Sequence, residues 1–206
     1  MLIVKKITIS LNNNNNNRFT KKNMKFKIAM LAIILLIASK ITAQNTSVEK
    51  NIFGIQTGVL GIWAHNEARL SNKIALHSEI GFDGGYRDGG GYDNVFALAP
   101  VITIEPRWYY NLYKRNNKGK NTANNSANFV ALKVSYNPDW LTISNKDDIN
   151  IIDQVSIVPY WSIRRSIGLH FNYETGIGFG YKYLFYDNQT VGEVDAELHL
   201  RIGYTF

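Results

Sequence analysis

Two pairs of a histidine and a glutamate stand at spacings that could serve acid–base chemistry in an extended chain. His170 precedes Glu174 by four residues and Glu197 precedes His199 by two, so the members of each pair project from one face of a β-strand. A serine on a neighbouring strand would complete a hydrolase-like set, the candidates being Ser156 and Ser162. The sequence has no Gly-x-Ser-x-Gly elbow and no His-Glu-x-x-His zinc motif. These absences make an enzyme a weaker hypothesis than a protein without enzymatic activity. The enzyme hypothesis is a barrel enzyme that acts on lipid or peptide, with His170 or His199 as the general base.

A larger set of charged residues occupies the polar positions of alternating stretches. We expect these residues to share one face, where carboxylates can pair with basic groups. Unpaired charges in a narrow interior are costly and paired ones are tolerable, so the set predicts a structural network of ion pairs. A proton or ion path through the same charges is the alternative. The predicted network consists of Glu79, Glu105, Arg107, Lys133, Arg164, Glu174, Lys182, Asp195, Glu197 and Arg201.

The placement of these charges follows from a period of two along the chain. Every second residue from Val194 to Phe206 is apolar, and large apolar residues likewise alternate with polar residues or glycine from Leu169 to Phe185. Successive side chains of a strand point to opposite faces, so each stretch predicts one strand with an apolar face and a polar face. Both stretches are much longer than the usual strand of about five or six residues. We find no convincing helix after residue 43.

Weaker alternation predicts five further strands, which makes seven in total. They lie at 53–63, 74–82, 102–112, 130–136 and 155–163. Turn-forming residues predict connections between them, notably at 63–73, 84–94 and 164–166. Outer-membrane barrels of bacteria have an even number of strands. We therefore expect a hidden eighth strand, either within 139–144 or from a break near Ala99 and Pro100.

Three features favour a closed barrel whose apolar face meets lipid. The strands reach the roughly 9 to 11 residues that a membrane strand requires, aromatic residues make up 13% of the chain, and the polar face carries charges of both signs. The sequence therefore predicts an all-β, antiparallel, up-and-down transmembrane β-barrel of eight strands. A soluble periplasmic barrel that binds a hydrophobic ligand in an apolar interior is the alternative.

The basic charge of the chain belongs to its N-terminal part. Residues 1–43 contain eight of the 23 Lys and Arg residues and no Asp or Glu, which leaves 15 basic against 16 acidic residues in 44–206. A nucleic-acid-binding face is therefore not expected, and the absence of cysteine excludes a disulfide scaffold. Lys25 and Lys27 precede eleven apolar residues, and Ala43 stands at a cleavage position. We predict an over-long start or disordered extension at 1–23, a signal peptide at 24–43 and a barrel domain at 44–206.

The ending resembles the C-terminal strand signal by which outer-membrane barrels are handed to the barrel-assembly machinery. Its residues are the terminal Phe206 and Tyr204, with alternating apolar residues before them. The mature chain also resembles small outer-membrane barrel proteins of Bacteroidetes, in segments 106–112, 163–168 and 170–174. This resemblance implies a porin-like outer-membrane barrel and carries over no catalytic residue.

We expect the partners to be the assembly machinery, outer-membrane lipid and lipopolysaccharide. Basic residues of segment 114–120 could contact lipopolysaccharide phosphates if that connection faces outward. We expect no cofactor, no metal and no nucleic acid. The predicted role is non-enzymatic, in envelope structure or in surface interaction through the loops.

Overall fold

The computed structural model describes residues 46–59, 61–89, 92–146, 149 and 151–206. The signal peptide and the extension predicted for 1–43 lie outside the described residues. The described residues form nine strands, which are β1 (Asn51–Gly58), β2 (Gly61–Arg69), β3 (Ile74–Gly89), β4 (Tyr92–Trp108), β5 (Asn128–Asn137), β6 (Ile143–Ser144), β7 (Gln154–Ile167), β8 (Phe171–Tyr186) and β9 (Gln189–Thr205). One short helix, α1 (Leu112–Asn116), and a 3-10 turn (Ala123–Asn125) lie between β4 and β5.

Eight of these strands close into a ring through antiparallel pairing. Around the ring the order is β1, β2, β3, β4, β5, β7, β8 and β9, and β9 returns to pair with β1. The short β6 pairs with β4 beyond the end of β5, so it is not a member of the ring. The predicted all-β antiparallel fold is confirmed, with eight strands in the closed ring.

The two ends of the ring differ in what they carry. We call one the closed end; it holds the first described residues, the connections at 70–73, 109–127 and 168–170, and the C-terminal Phe206. The other, which we call the open end, holds the hairpin tips at Val59 and at 187–188 and the connection at 138–153. Segment 114–120 therefore lies at the end that also holds the C-terminus.

The hidden eighth strand is β2, and both positions predicted for it are wrong. The alternation at 53–63 spans the end of β1, a turn at Val59 and the start of β2. That turn is apolar in sequence, so no polar residue marks it. Most of 63–73, which the sequence predicts as a connection, belongs to β2. Segment 139–144 contributes only β6, and β4 runs through Ala99 and Pro100 without a break.

Two other predicted connections are also strands. Residues 164–166 lie inside β7, and the turn that follows contains Gly168, whose φ of 67° is in the left-handed region that favours glycine. The glycine-rich segment 84–94 is largely paired, since β3 continues to Gly89 and β4 begins at Tyr92. The helix α1 corrects the expectation that no helix follows residue 43.

The apolar core is small and sits at the closed end. It is built from the N-terminal segment, from the 109–127 connection and from the adjoining strands. Tyr109 and Phe129 pack with their rings 5.1 Å apart, and Phe129 meets Tyr160 edge to face. The cluster contains Val48, Ala75, Tyr109, Leu112, Ala127, Phe129, Ala131 and Tyr160.

Glycines on the inward face of β8 make room for side chains from β7. A Cβ added at Gly178 would lie 2.4 Å from the Tyr160 Cβ and 2.7 Å from the Pro159 carbonyl oxygen. Tyr160 therefore crosses the inside of the ring directly over a residue that has no side chain. The glycines of this strand are therefore a packing requirement.

Candidate functional site in the ring interior

The strands place their apolar rows outward and their polar rows inward. Ile104 on β4 is 50% exposed, whereas its neighbour Glu105 is 0% exposed. The same division holds on β8, where Phe179 is 63% exposed and Glu174 is buried. Period-two alternation produces this arrangement, because each step along a strand reverses the side chain. The interior is thus the polar side of the sheet, and its chemistry is that of charged groups.

Glu67 on β2 is one centre of the interior network. Its Oε2 lies 2.9 Å from Arg164 Nη1, 3.2 Å from Arg107 Nη1 and 3.3 Å from His77 Nδ1. Its Oε1 accepts hydrogen bonds from the Tyr109 hydroxyl, at 2.8 Å, and from the Asn125 side-chain amide. One buried carboxylate thereby joins three strands to the connection that covers the closed end.

Glu174 on β8 is the second centre. Its Oε1 accepts from Gln56 Nε2 at 3.0 Å and lies 3.2 Å from both Arg107 Nη1 and Arg164 Nε. Its Oε2 lies 2.9 Å from His199 Nε2. Arg107 and Arg164 therefore contact both glutamates, and the two centres form a single charge network across the ring.

Two further ion pairs, Arg201–Glu79 and Arg107–Glu105, complete the charge network inside the ring. Arg201 donates to both carboxylate oxygens of Glu79, at 2.6 Å and 3.2 Å, and its guanidinium lies 3.9 Å from the centroid of the Trp63 ring. Arg107 lies 2.7 Å from Glu105, which also accepts a hydrogen bond of 2.7 Å from the Tyr160 hydroxyl. These contacts supply partners for charges that burial would otherwise destabilise.

Each of two histidines lies between two glutamates. His77 has Glu67 on its Nδ1 side and Glu79 at 3.1 Å from its Nε2. His199 has Glu174 at Nε2, with Glu197 at 3.6 Å from Nδ1. The geometry places both rings as bridges between acidic groups.

The ten charges predicted for the network fall into three sets. Glu79, Glu105, Arg107, Arg164, Glu174 and Arg201 lie in the joined ion pairs described above. Lys133 and Glu197 pair with each other at 3.1 Å nearer the open end. Lys182 pairs instead with Glu193 at 3.4 Å, and Asp195 accepts from the Ser156 hydroxyl at 2.7 Å. The structure thus brings most of the set together and places Lys182 and Asp195 apart from the two centres.

Sequence reasoning missed Glu67, although it is the most connected carboxylate. The residue lies in the segment predicted as a connection, so its alternation with Trp63 and His65 was not used. All three point inward on β2 and are buried. The period of two, continued past the apolar turn, is the signal that would have found them.

The residues of the enzyme hypothesis do not form a nucleophile and base. His170 lies in the turn before β8, with Nδ1 2.9 Å from the Thr205 carbonyl oxygen. The Ser162 hydroxyl donates to the Thr175 carbonyl oxygen at 2.9 Å, and Ser156 donates to Asp195. His199 is engaged by Glu174 and Glu197. In the described structure, these hydroxyls donate to other groups than a histidine.

The 109–127 connection covers the charge network at the closed end. Tyr109 and Asn125 reach Glu67 from the 109–127 connection, and the Asn125 side chain accepts from the Glu49 amide at 2.7 Å. Burial raises the pKa of the Tyr109 hydroxyl, and the nearby Glu67 carboxylate raises it further. Tyr109 therefore serves as a neutral hydrogen-bond donor to a buried carboxylate.

The open end contains a cavity of about 410 Å³ inside the ring. Its walls include charged groups of both signs and the hydroxyl-bearing Ser135 and Ser156. The Trp63 indole donates to Asp83 at 2.8 Å, and Asn137 donates to the same carboxylate at 3.2 Å. The cavity belongs to the size range of about 300 to 1,000 Å³ that is typical of small-molecule sites.

The two residues of the predicted assembly signal lie on and beside the last strand. Tyr204 points outward from β9, and its ring packs against Phe206 at 5.6 Å and against Phe171 at 5.3 Å. The Phe206 amide donates to the Phe53 carbonyl oxygen at 3.0 Å. Both residues are thus on the outer surface at the seam between β9 and β1.

In comparisons with family models, with curated proteins and with solved structures, nothing matches this chain. Across the part of the chain that the structure describes, no helix is long and apolar enough to cross a membrane. The same residues hold no group of three or more His, Cys, Asp and Glu side chains arranged for a metal ion.

Proposed function

We propose that this chain is an integral outer-membrane β-barrel protein, without enzymatic activity, that serves envelope structure or surface interaction through its loops. The observation that carries the proposal is the reversed distribution of polarity in the ring. Large apolar side chains cover the outer surface, while glutamates, arginines and histidines fill the inside. Such a ring is stable where its surroundings are hydrocarbon.

The outward apolar rows are too extensive for a surface that faces water. Phe53, Ile80, Phe179 and Leu198, on four different strands, are each more than half exposed. Burying one such side chain is worth about 1.5 to 3 kcal/mol, so leaving the whole set in water would forgo a large stabilisation. Soluble monomers rarely expose continuous apolar patches of more than a few hundred Å². Contact with acyl chains removes this difficulty.

Aromatic side chains lie at both ends of the outward row of β4. Trp108, Tyr110 and Trp161 cluster near the closed end, with the Trp161 indole donating to the Tyr110 hydroxyl at 2.8 Å. On β4, Phe96 ends the same outward row, roughly 40 Å of strand away from Trp108 at about 3.3 Å per residue. A tilt of about 40° reduces this to about 30 Å, the thickness of a hydrocarbon core. Both aromatic groups thus suit membrane interfaces.

Export and assembly point to the outer membrane. The sequence predicts a signal peptide at 24–43, and a closed ring of strands satisfies its backbone polar groups without water. Tyr204 and Phe206 supply the expected recognition element for the assembly machinery. Outer-membrane lipid and lipopolysaccharide are the partners that this location implies.

The interior favours a structural role over catalysis. The buried charges inside the ring balance one another, since Glu67 and Glu174 each contact Arg107 and Arg164. Removing any one of the four would leave a buried charge without a matching partner. An apolar ligand would also find no apolar lumen there, which weighs against a soluble hydrophobic-ligand carrier. The buried side chains of the same network fill the described interior toward the closed end, which weighs against a wide channel for solutes.

Fractionation of cells that express the full chain tests the proposal. We expect the protein in a carbonate-resistant outer-membrane pellet, with a folded form that migrates differently on a gel before and after boiling. Deletion of Phe206 should lower the amount of that heat-modifiable form, while Phe206→Tyr, which retains an aromatic end, should preserve it. Recovery of the wild type in the soluble periplasmic fraction would contradict the proposal.

A further inference from the structure

The wall of the ring steps down where β9 meets β1, because β1 and β2 are the shortest strands of the ring. β1 ends at Gly58 and pairs with β9 only between Arg201 and Thr205. β9 begins at Gln189, and among the described strands none pairs with the edge of β9 that faces β1 between Gln189 and Leu200. On the other side, β3 continues past Asp83, the last residue that pairs with β2. An opening the width of two missing strands, on the order of 10 Å, therefore interrupts the wall.

The cavity of the open end reaches this opening. Its walls include the inward residues Asp195, Glu197 and His199, and also the outward residues Ala196, Leu198 and Leu200 of the same strand. The cavity thus borders seven consecutive residues of β9, from Asp195 to Arg201, and all but Arg201 lie on the part of the strand that has no pairing with β1. We take this run of residues as the place where the cavity meets the unpaired edge of β9.

The rim of the opening is apolar. Val59, at the tip of the β1–β2 hairpin, is 78% exposed, and Leu198, on the edge of β9, is 73% exposed. The tip of the β8–β9 hairpin is the polar pair Asp187 and Asn188. A hairpin tip made of apolar residues suits hydrocarbon, whereas a polar tip suits water. The opening therefore lies at the margin of the apolar outer surface that faces the open end, since an unpaired strand edge is not stable in hydrocarbon.

The cavity behind the rim carries charges of both signs. Lys133, Lys182 and Arg201 line it together with Asp83, Asp195 and Glu197. Lys182 and its partner Glu193 are partly exposed, so their pair at 3.4 Å can open without leaving a buried charge. A ligand with a single net charge would be opposed by half of these groups, while a zwitterion matches both.

We propose that this opening admits the headgroup of a zwitterionic phospholipid from the membrane into the cavity, while the acyl chains stay outside against the apolar rim. The proposal rests on the proposed function, because it needs lipid around the ring. Asp195 is the acceptor placed for the ammonium group, and Lys182 is the cation placed for the phosphate. Lys133 and Glu197, paired at 3.1 Å, form the floor beneath them.

Native mass spectrometry of the full-length mature protein, released from detergent micelles, tests this inference. The protein is equilibrated with equal amounts of dioleoyl phosphatidylethanolamine, the matching phosphatidylglycerol, and lipid A. We expect one retained phosphatidylethanolamine per protein, in preference to the other two lipids. Preferential retention of phosphatidylglycerol or lipid A, or equal retention of all three, would overturn the assignment.

A double variant, Lys182→Ala with Asp195→Asn, locates the site. It should lower phosphatidylethanolamine retention by about tenfold or more, since it removes two charge-assisted contacts. The matched control, Lys120→Ala with Asp187→Asn, removes the same charges from exposed connections and should leave retention unchanged. Equal retention by the double variant and the control would overturn the proposal.

A second measurement avoids any dependence on the folding of the double variant. In a protein whose other tryptophans are replaced by phenylalanine, Trp63 reports on the cavity wall. Phosphatidylcholine with a nitroxide on its quaternary ammonium, which keeps the headgroup zwitterionic, should quench Trp63 fluorescence more strongly than phosphatidylcholine labelled at the end of its acyl chain. The reverse order would overturn the proposal.

Failure of this inference differs from failure of the proposed function. A protein that enters the membrane pellet and shows heat-modifiable migration, yet retains no phosphatidylethanolamine, contradicts only the headgroup site. A protein that never enters the membrane contradicts both.

Discussion

The two ends of the ring interior use the same alternating strands and hold their charges in different ways. At the closed end, Glu67 and Glu174 are fully buried and each contacts several cations. At the open end, Lys182 and Glu193 form one exposed pair beside a cavity. The comparison shows that an inward position does not by itself define a role, because burial and the number of partners decide what a charge contributes.

The difference follows from what covers each end. The 109–127 connection and Val48 place apolar groups and Tyr109 over the closed end, so water is displaced and the charges depend on one another. The open end holds hairpin tips and the 138–153 connection, and the β1–β2 hairpin is short. Lys182 and Glu193 there are partly exposed and can exchange partners, which suits binding rather than stability.

Removal of one carboxylate from each end should give the largest contrast. Glu174→Ala removes one of the two carboxylates that Arg107 and Arg164 share, so the buried positive charge is no longer balanced, and we expect it to lower the free energy of unfolding by about 3 to 5 kcal/mol. Glu193→Ala at the open end should cost less than about 1 kcal/mol. Urea unfolding from detergent micelles, followed by gel migration, measures both. Similar losses for the two variants would remove the distinction between the ends.

Glycine substitutions test the same contrast through packing. Gly178→Ala places a methyl group against Tyr160 and the Pro159 carbonyl, and we expect a loss of about 1 to 3 kcal/mol. Gly192→Ala on β9 meets the Tyr183 ring at 3.6 Å, an ordinary contact, and should change stability by less than about 0.5 kcal/mol. Equal tolerance of both alanines would show that the interior is looser than its contacts indicate.

Tyr109 provides a smaller effect that depends on pH. Tyr109→Phe removes the 2.8 Å hydrogen bond to Glu67 and should cost about 1 kcal/mol near neutral pH. Because burial raises the pKa of this hydroxyl in the folded state, its contribution is complete below the unfolded pKa of about 10 and is lost as the pH rises further. Wild-type stability should therefore fall more steeply above pH 10 than that of Tyr109→Phe. Parallel pH profiles would show that Tyr109 is not buried against Glu67.

Alternation predicts the long strands and the side of each residue well. In β8 and β9 the apolar and polar rows are nearly unbroken, so the inward placement of Glu174 and Arg201 follows directly from their position. The β1–β2 hairpin was missed because an apolar turn reverses the chain without a polar or proline signal. Arg164 and Arg165 suggest a turn by their charge, yet Arg164 continues β7 because interior carboxylates balance it.

Which charges meet is not readable from the period of two. Arg201 donates a hydrogen bond to Glu79, which is 122 residues away in the sequence, and Arg164 donates one to Glu67, which is 97 residues away. These pairs depend on the stagger of all eight strands, which sets the height of each residue inside the ring. The alternation determines which face of the sheet a side chain occupies. The pairing register of the strands in the closed ring determines which residue that side chain contacts. The opening beside β9 likewise follows from register and strand length, not from local composition.

The central claim is that the outward apolar rows contact lipid. Two adjacent positions on β5 test it directly. The chain has no cysteine, so Val134→Cys and Ser135→Cys can each carry a single spin label in protein reconstituted into lipid vesicles. Val134 points outward, and Ser135 points into the cavity. We expect the label at 134 to collide freely with oxygen and hardly with a water-soluble nickel chelate, while the label at 135 shows the opposite preference. A label at 134 that is open to the nickel chelate would contradict a ring whose outer surface meets lipid.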